Sequence, residues 1–184
     1  MDIRSTSKLE FAICPARLKE YEAVRSLAHM ALLQFQNALL NREQVDASYD
    51  LVGIDETLIE DGTYYIGYGM KGMVGCGGFS KRYIEPGKDF ADTKNARLLD
   101  PKTEATRLRA IYTEFKYGRQ GIGTVMLAYV EEQAKRAGFH QFDALATVTA
   151  EPMLAKAGYR VLERELIATK SGPKIPFARM TKSI

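Results

Sequence analysis

Residues 118–139 read GRQGIGTVMLAYVEEQAKRAGF and place two glycines, one residue apart, directly before a stretch with the period of a helix. The small and apolar residues after Gly123 recur at steps of three and four: Met126, Leu127, Val130, Ala134 and Ala137. Such a stripe predicts a helix that packs one face on a core, and Gly138 supplies a left-handed stop at its end. Residues 118–123 are therefore predicted to lead into an amphipathic helix of about four turns.

This glycine-bearing helix entrance is suited to an anion. The first N–H groups of a helix have no partners within it, and the aligned peptide dipoles leave partial positive charge there. Glycine at positions 121 and 123 lets an anion approach the backbone, and Arg119 adds a formal charge. The entrance therefore predicts a site for a phosphate group, and a glycine turn that merely starts a helix is the alternative.

Two common phosphate loops do not match these residues. A P-loop requires a Lys-Ser or Lys-Thr pair after its last glycine, but Thr124 follows Gly123 and no lysine is present there. The dinucleotide-binding fingerprint requires a third glycine at the position of Met126. Both loops are excluded.

The segment before the loop, TRLRAIYTEFKYGRQGIG at 106–123, begins with alternating residues that predict a strand. Together, strand, loop and helix resemble motif A of the GCN5-related N-acetyltransferase (GNAT) superfamily. LEFAICPA at 9–16 is similar to the first strand of that family, and residues 61–83 are similar to its second and third strands. FDALATVTAEPMLAKAGYRVLERE at 142–165 is similar to its fifth strand, a short helix and the start of the sixth strand.

The resemblance implies the fold and the domain organisation. It implies an α/β (α+β) fold with a mixed, mainly antiparallel sheet of six to seven strands, flanked by helices and split between strands 4 and 5. The whole chain, residues 1–184, is expected to form a single GNAT domain, since its length suits one domain with a substantial core. The tail KIPFARMTKSI is expected to add a final edge strand.

The resemblance also implies a co-substrate, acetyl-coenzyme A, and the residues that bind it. The loop N–H groups would hold the pyrophosphate, and the end of the fourth strand would contact the pantetheine amides and the thioester carbonyl. The residues assigned to this site are Ile111, Tyr112, Thr113, Gly118, Arg119, Gln120, Gly121, Ile122, Gly123 and Thr124. One departure lies in the loop, where Gly118 stands at the position of the family's leading Arg or Gln; this is expected to weaken the anion site without abolishing it.

Acetyl transfer requires an uncharged amine, although an ordinary lysine-like amine has a pKa near roughly 10.4. A base near the fourth strand would remove the proton. Glu114 is the candidate base, with an exposed loop carboxylate as the alternative, and Tyr112 would position water or belong to the core.

Leu154 stands at the position where the family has a tyrosine that protonates the departing thiolate, so the enzyme is expected to be active but slow. Leu154→Tyr would then keep or raise turnover, or only destabilise the fold if Leu154 is a core contact.

Two other classes remain open at this point. The first is a non-catalytic acyl-coenzyme A binding or sensing module, which would keep the phosphate loop and lose the acid and base groups. The second is a nucleotide-binding protein that uses the same helix entrance. The acceptor, a small-molecule or peptide amine, cannot be read from residues 20–60 and 84–105, and a homodimer is left open.

The composition excludes other partners. A net charge of +3 is too small to indicate nucleic acid, and the 26 Lys and Arg residues are dispersed. No apolar run approaches the roughly 20 residues of a membrane span, and MDIRSTSKLE lacks a signal-peptide centre, so a cytoplasmic protein is expected. Cys14 and Cys76 lack metal-ligand spacing and are expected to be core thiols, with a reactive thiol as the alternative. No metal site is predicted.

Three further segments have recognisable patterns. Residues 16–40 carry a helical stripe of Tyr21, Val24, Ala28, Leu32, Phe35 and Leu39. Residues 41–62 predict one or two short helices that end at an Asp-Gly turn, and residues 64–79 predict an antiparallel hairpin. Residues 84–105 form a long polar segment, for which a mobile flap is expected.

Overall fold

The computed structural model describes residues 2–36, 39–51, 53–85, 88 and 90–184. Positions 37 and 38 of the predicted helical stripe, and positions 86, 87 and 89 of the predicted flap, lie outside the described residues. The strands are β1 Asp2–Ser5, β2 Glu10–Pro15, β3 Tyr64–Gly69, β4 Gly72–Ser80, β5 Thr106–Thr113, β6 Gln141–Thr147, β7 Arg160–Ala168 and β8 Lys174–Ser183. They form one sheet in the order β1-β2-β3-β4-β5-β6-β8-β7.

Only the pair of β5 and β6 is parallel among the described strands, so the predicted mixed, mainly antiparallel sheet is confirmed. The described residues form eight strands, one or two more than predicted, because the short β1 adds to the edge beside β2. The tail does not form an edge strand as predicted. It forms β8, which lies between β6 and β7, because β8 buries Ile175, Phe177 and Met180 while β7 is mostly exposed. The charged β7 is a suitable sheet edge.

Helices cover both faces of the sheet. They are α1 Tyr21–Gln36, α2 Arg42–Ala47, α3 Glu56–Glu60, α4 Ile122–Arg136 and α5 Glu151–Lys156. Helix α4 and Leu154 of α5 pack in the largest core cluster, together with Phe142 of β6. Helices α1 and α3 pack in a second cluster with Tyr64 of β3 and Cys76 of β4. The two layers therefore enclose the strands that precede and follow the predicted anion loop.

One detail of the helices differs from the sequence patterns. Leu39 is 60% exposed and not part of the core-facing stripe, because α1 ends at Gln36.

The predicted short helices before Gly62 and the hairpin of β3 and β4 are confirmed. Cys76 is buried and Cys14 is half-buried, and both thiols are free, as expected of strand cysteines.

The sheet separates between β5 and β6, as predicted for the fourth and fifth strands of the family. Strand β5 pairs with β6 only at Thr106, Arg107 and Leu108. Beyond these residues β5 continues along β4 with an irregularity between Cys76 and Gly78, where Ala110 takes a positive φ of 52°. A bulge bends a strand and increases its twist. The bulge therefore lies at the point where β5 leaves β6.

The segment at 84–105 is anchored where the structure describes it. Arg82, which donates two hydrogen bonds of 2.8 Å to Asp61, also donates from Nη1 to the carbonyls of Lys94 and Ala96 at 3.2 and 3.3 Å. Thr93 donates its N–H and its hydroxyl to the buried Asp55, at 3.1 and 2.7 Å. The described residues thus form a loop tied to the body of the protein and not a free flap. This loop precedes β5, so it lies at the opposite end of that strand from the glycine loop.

The ion pair of Arg97 and Glu104 in this loop leads to a prediction on pH. Hydrogen bonds from Arg97 and from the N–H of Asp100 lower the pKa of Glu104 from 4.5 to about 2. A carboxyl group of lowered pKa stabilises the folded state above its unfolded pKa and loses this contribution as the pH falls toward its folded pKa. We expect Glu104→Gln to flatten the loss of stability between about pH 4.5 and 2, measured by denaturant unfolding.

The control for this experiment is Glu43→Gln, at an exposed position of α2. It should leave the pH dependence of the unfolding midpoint unchanged. Equal pH dependence in the wild type and in Glu104→Gln would contradict the assigned role of the ion pair.

None of the described helices is long and apolar enough to cross a membrane. The part of the chain that the structure describes contains no group of three or more His, Cys, Asp and Glu residues able to hold a metal ion.

Candidate active site

The glycine loop forms a concave turn at the N-terminus of α4. Arg119 and Gly121 have positive φ values of 60° and 85°, and Gly121 is the N-cap residue of the helix. Turns with left-handed residues direct successive N–H groups into an anion-binding concavity. In the described structure, no backbone N–H from position 119 to 124 donates to another backbone group, whereas Val125 donates to the Gly121 carbonyl at 3.1 Å. The loop therefore presents a row of available donors.

Side chains leave this row of donors accessible. Gly121 and Arg119 are exposed, and no carboxylate of the described residues forms an ion pair with Arg119. The helix dipole adds partial positive charge at the same place. The residues present thus fit a phosphate or pyrophosphate group, because free N–H groups, a helix N-terminus and a guanidinium meet there.

The departure at Gly118 has a steric cause. A β carbon at this position would lie 2.9 Å from two ring atoms of Phe35 and 3.0 Å from the carbonyl oxygen of Phe115. The rings of Phe35 and Phe115 also contact each other, with centroids 5.3 Å apart. Packing of α1 against the loop therefore requires glycine where the family has a long polar side chain.

The end of β5 presents the assigned strand residues on two faces. Ile111 packs against the core cluster that contains α4, and Tyr112 packs against the cluster that contains α1 and α3. Thr113 is half-buried at the end of the strand and is paired in register with Gly75 of β4. The gap between β5 and β6 leaves the other edge of these residues without a neighbouring strand.

Glu114 follows β5 directly and is half-buried. Its backbone N–H donates to the Val74 carbonyl at 3.0 Å, which holds its main chain at the sheet edge. Its carboxylate oxygen Oε2 lies 3.3 Å from Nζ of Lys116. The carboxylate is thus close to the strand end and to the loop.

Tyr112 lies on the same face of the sheet as Cys76 and Tyr64. Burial, and secondarily the nearby Cys76, raise the pKa of Tyr112 above its ordinary value. Its phenol therefore stays protonated at neutral pH. A protonated phenol can donate a hydrogen bond or orient water, but it cannot act as a base.

Leu154, at the position of the family's tyrosine, is 4% exposed and belongs to the largest core cluster. Its carbonyl accepts hydrogen bonds from the N–H groups of Ala157 and Tyr159, both at 3.0 Å, which close the end of α5. An aliphatic side chain in this setting supplies packing and no proton. The structure therefore favours the core-contact interpretation of Leu154.

An acidic cavity lies on the α1 side of the sheet, and sequence analysis did not identify it. The cavity has a volume of about 330 Å³ and brings together carboxylates from two distant segments: Asp55, Glu56, Glu60 and Asp92. Tyr21 and Phe90 also line it, and Lys94 is the cationic residue among the described lining residues. The carboxylates stand in different segments of a mixed-charge sequence, so no local pattern indicated them.

The cavity is connected to β5 through a buried ion pair. Asp55 Oδ2 lies 3.9 Å from Nη1 of Arg109, the residue before the bulge, and the two side chains are 2% and 10% exposed. Asp55 is fixed further by the N–H of Thr57 at 3.0 Å and by Thr93. One wall of the cavity is thus held in a defined position relative to the bulge.

Comparison with known proteins identifies the class. The model of the acetyltransferase (GNAT) domain matches residues 96–184, which include β5, the glycine loop and α4. No curated protein matches the chain in sequence.

Solved structures share the fold over nearly the whole chain. A GCN5-related N-acetyltransferase from Rhodopseudomonas palustris has a TM-score of 0.70 at 18% identity and covers 100% of this chain and 99% of its own. The PaiA N-acetyltransferase from Thermoplasma acidophilum, solved with coenzyme A, has a TM-score of 0.65 at 12% identity. The match covers 95% of this chain and 99% of PaiA. The protein yncA from Salmonella typhimurium, solved with acetyl-CoA, has a TM-score of 0.61 at 15% identity. The match covers 94% of this chain and 93% of yncA.

The matched domain and the shared fold define an acetyltransferase. Residues 96–184 match the GNAT domain model and the chain has the fold of solved GNAT acetyltransferases, so the resemblance found in the sequence is confirmed.

Proposed function

We propose that the whole chain is one GNAT domain that transfers the acetyl group of acetyl-coenzyme A directly to a primary amine. The observation that carries this proposal is the row of available N–H groups from position 119 to 124, placed at the open end of the gap between β5 and β6. Pyrophosphate oxygens fit the row, and the unpaired edge of β5 suits an extended pantetheine chain, as a peptide adds to a sheet. The coenzyme supplies the activated acetyl thioester.

The residues of this chain then have distinct roles in the proposal. The backbone of Ile111, Tyr112 and Thr113 aligns the thioester, and a backbone N–H at the bulge stabilises the oxyanion. Glu114 accepts the amine proton directly or through water. Tyr112 donates a hydrogen bond to that water from its protonated phenol.

The acidic cavity supports a cationic acceptor. Its described lining has four carboxylates and one lysine, and the carboxylates still exceed the cations when the pairs of Asp55 with Arg109 and of Glu60 with Lys94 are counted. An excess of negative charge raises the local concentration of a positively charged amine. Tyr21 and Phe90 offer apolar contacts for its carbon chain. The proposed acceptor is therefore a small molecule or a peptide that carries at least one further cation besides the reacting amine.

A thiol-release screen tests this proposal. The purified protein is incubated with acetyl-coenzyme A and amines, polyamines, amino acids, aminoglycosides or peptides, and released thiol is measured. We expect release with cationic amines, with a KM that rises with salt because screening weakens the attraction. Neutral amines of equal size are the control. Absence of release with every acceptor class would contradict transfer activity.

One observation favours the second candidate function, an acyl-coenzyme A binding module. Leu154 is a buried leucine in place of an acid group. Such a module would bind acetyl-coenzyme A, shown by a rise in melting temperature, and would release no thiol with any amine. The same shift with ATP or NAD would instead indicate a general nucleotide site.

Glu114→Gln tests the proposed base. We expect turnover at pH 7 to fall by about tenfold, less than for a base in direct contact, because water can still accept the proton. Turnover should partly recover at high pH, where more of the amine is uncharged. The measurement is the pH–rate profile with an active acceptor.

Lys116→Gln serves as the control, since it removes the cation 3.3 Å from Glu114 and keeps the carboxylate. Because the carboxylate remains, its turnover at pH 7 should stay well above that of Glu114→Gln. A profile of Glu114→Gln with the wild-type shape and height would exclude Glu114 as the base.

A further inference from the structure

The bulge of β5 is held by a hydroxyl group from a strand that is not its neighbour. Tyr64 lies on β3, is 0% exposed, and donates a hydrogen bond of 2.8 Å from its hydroxyl to the carbonyl oxygen of Ala110. Burial raises the pKa of Tyr64 well above its ordinary value, so the hydroxyl stays protonated and remains a donor. Ala110 is the bulge residue with a positive φ of 52°.

Gly78 of β4 leaves the room for this contact, and the neighbouring Gly77 leaves room for Ile111 on the other face of the sheet. Gly78 is the β4 partner of Tyr64, and a β carbon there would lie 2.7 Å from Cδ2 of the tyrosine ring. At Gly77 a β carbon would lie 2.8 Å from Cγ1 of Ile111. The ring of Tyr64 therefore crosses β4 over Gly78, while Ile111 packs against Gly77.

The geometry of the peptide unit links this contact to the active site. No cis peptide bond occurs in the described residues, so the carbonyl of Ala110 and the N–H of Ile111 point in opposite directions from one planar unit. In the sheet, β3 and β6 lie on opposite sides of β5. The N–H of Ile111 therefore points away from Tyr64, on the side of β5 where the gap to β6 opens.

We propose that Tyr64 is a positioning residue that fixes the Ala110–Ile111 peptide so that the N–H of Ile111 is directed at the thioester carbonyl. The proposal rests on the proposed function, which places the thioester at this gap. A positive φ in a residue other than glycine costs free energy and persists only where its surroundings hold it. The hydrogen bond from Tyr64 provides that constraint, because it occupies the carbonyl of the strained residue.

The experiment compares Tyr64→Phe with Tyr65→Phe. Tyr65 is also buried, but it packs on the opposite face of the sheet, in edge contact with Tyr129 at 5.2 Å. The readout is the infrared carbonyl stretch of acetyl-coenzyme A labelled with ¹³C at the carbonyl, free and bound to each protein. This measurement needs no acceptor, and a hydrogen bond to the carbonyl lowers its stretching frequency.

We expect the carbonyl stretching frequency of acetyl-coenzyme A to be lower when it is bound to the wild type or to Tyr65→Phe than when it is free. In Tyr64→Phe the frequency of the bound molecule should be close to that of free acetyl-coenzyme A. With an active acceptor, kcat of Tyr64→Phe should fall by about tenfold, below the loss for complete removal of an oxyanion donor, while KM for acetyl-coenzyme A stays unchanged. A purely structural role would change the folded fraction and not the stretch of the bound molecules.

A wild-type stretch in folded Tyr64→Phe would overturn the role of Tyr64 and leave the proposed function intact. An unshifted stretch in the wild type would overturn both the oxyanion donor and the role of Tyr64. If Tyr64→Phe does not fold, Tyr64→3-fluorotyrosine keeps the hydroxyl as a stronger donor. Since a stronger bond polarises the shared peptide, the stretch should fall further, and an unmoved stretch would count against the proposal.

Discussion

Gly121→Val is expected to weaken coenzyme A binding by about 100-fold or more, the equivalent of two lost hydrogen bonds to a charged group. Gly121 is the exposed N-cap residue of α4, directly before the free N–H groups of Ile122, Gly123 and Thr124. A branched side chain there would keep phosphate oxygens away from the backbone. Titration calorimetry with coenzyme A measures the loss without requiring an acceptor.

The φ of 85° at Gly121 means that valine also strains the backbone, by about 1–2 kcal/mol. Gly138→Val separates this strain from the loss of binding. Gly138 follows the other end of α4, has a φ of 96°, and a β carbon there would meet Pro101 at 3.4 Å, an ordinary contact. The control should lose stability and keep affinity. Wild-type affinity in folded Gly121→Val, or an equal loss in the control, would refute the loop assignment.

The features that sequence predicted are those encoded within a short segment. The helix after Gly123 appears as α4, because its apolar stripe has a period that only one helical face can satisfy. The gap between β5 and β6 followed from a family resemblance across residues 106–123, and the pairing that stops at Leu108 agrees with it. Local periodicity was sufficient for the helix, whereas the gap was expected only from the family resemblance.

The features that sequence missed depend on contacts between distant segments. Asp55 and Asp92 line one cavity although a strand hairpin separates them along the chain, and neither has a neighbour pattern that indicates a site. Glu131 of α4 is buried and its carboxylate accepts a hydrogen bond of 2.8 Å from Lys182 of β8. The contact of Tyr64 with Ala110 depends on the register of three strands. Such contacts require the tertiary fold.

The position of β8 shows the same limit. The alternation in the tail predicts a strand but does not specify its neighbours, so the expected edge position does not follow from the pattern. In the structure β8 pairs with both β6 and β7 and buries Ile175 and Met180. Strand β8 has a neighbour on both sides because the exposed β7 lies at the edge of the sheet. The position of β8 therefore depends on both strands and not on its own sequence alone.

Leu154→Tyr is expected to lower the free energy of unfolding by about 1–3 kcal/mol, because a larger side chain is forced into a packed core. The structure therefore changes the outcome expected from the sequence, which included equal or higher turnover. Leu154 is 4% exposed and lies in the cluster that joins α4, α5 and β6. Denaturant unfolding measures the stability loss.

Leu154→Phe is the matched control, since it adds nearly the same ring without the hydroxyl. If Leu154 is a core contact, the two variants should lose similar stability and show equal turnover per folded molecule. If the position instead faces the departing thiolate, the tyrosine variant alone gains a proton donor, and its turnover should exceed that of both the phenylalanine variant and the wild type. Higher turnover of Leu154→Tyr would therefore place the missing acid at this position, and equal turnover would leave water or the protonated phenol of Tyr112 as the donor.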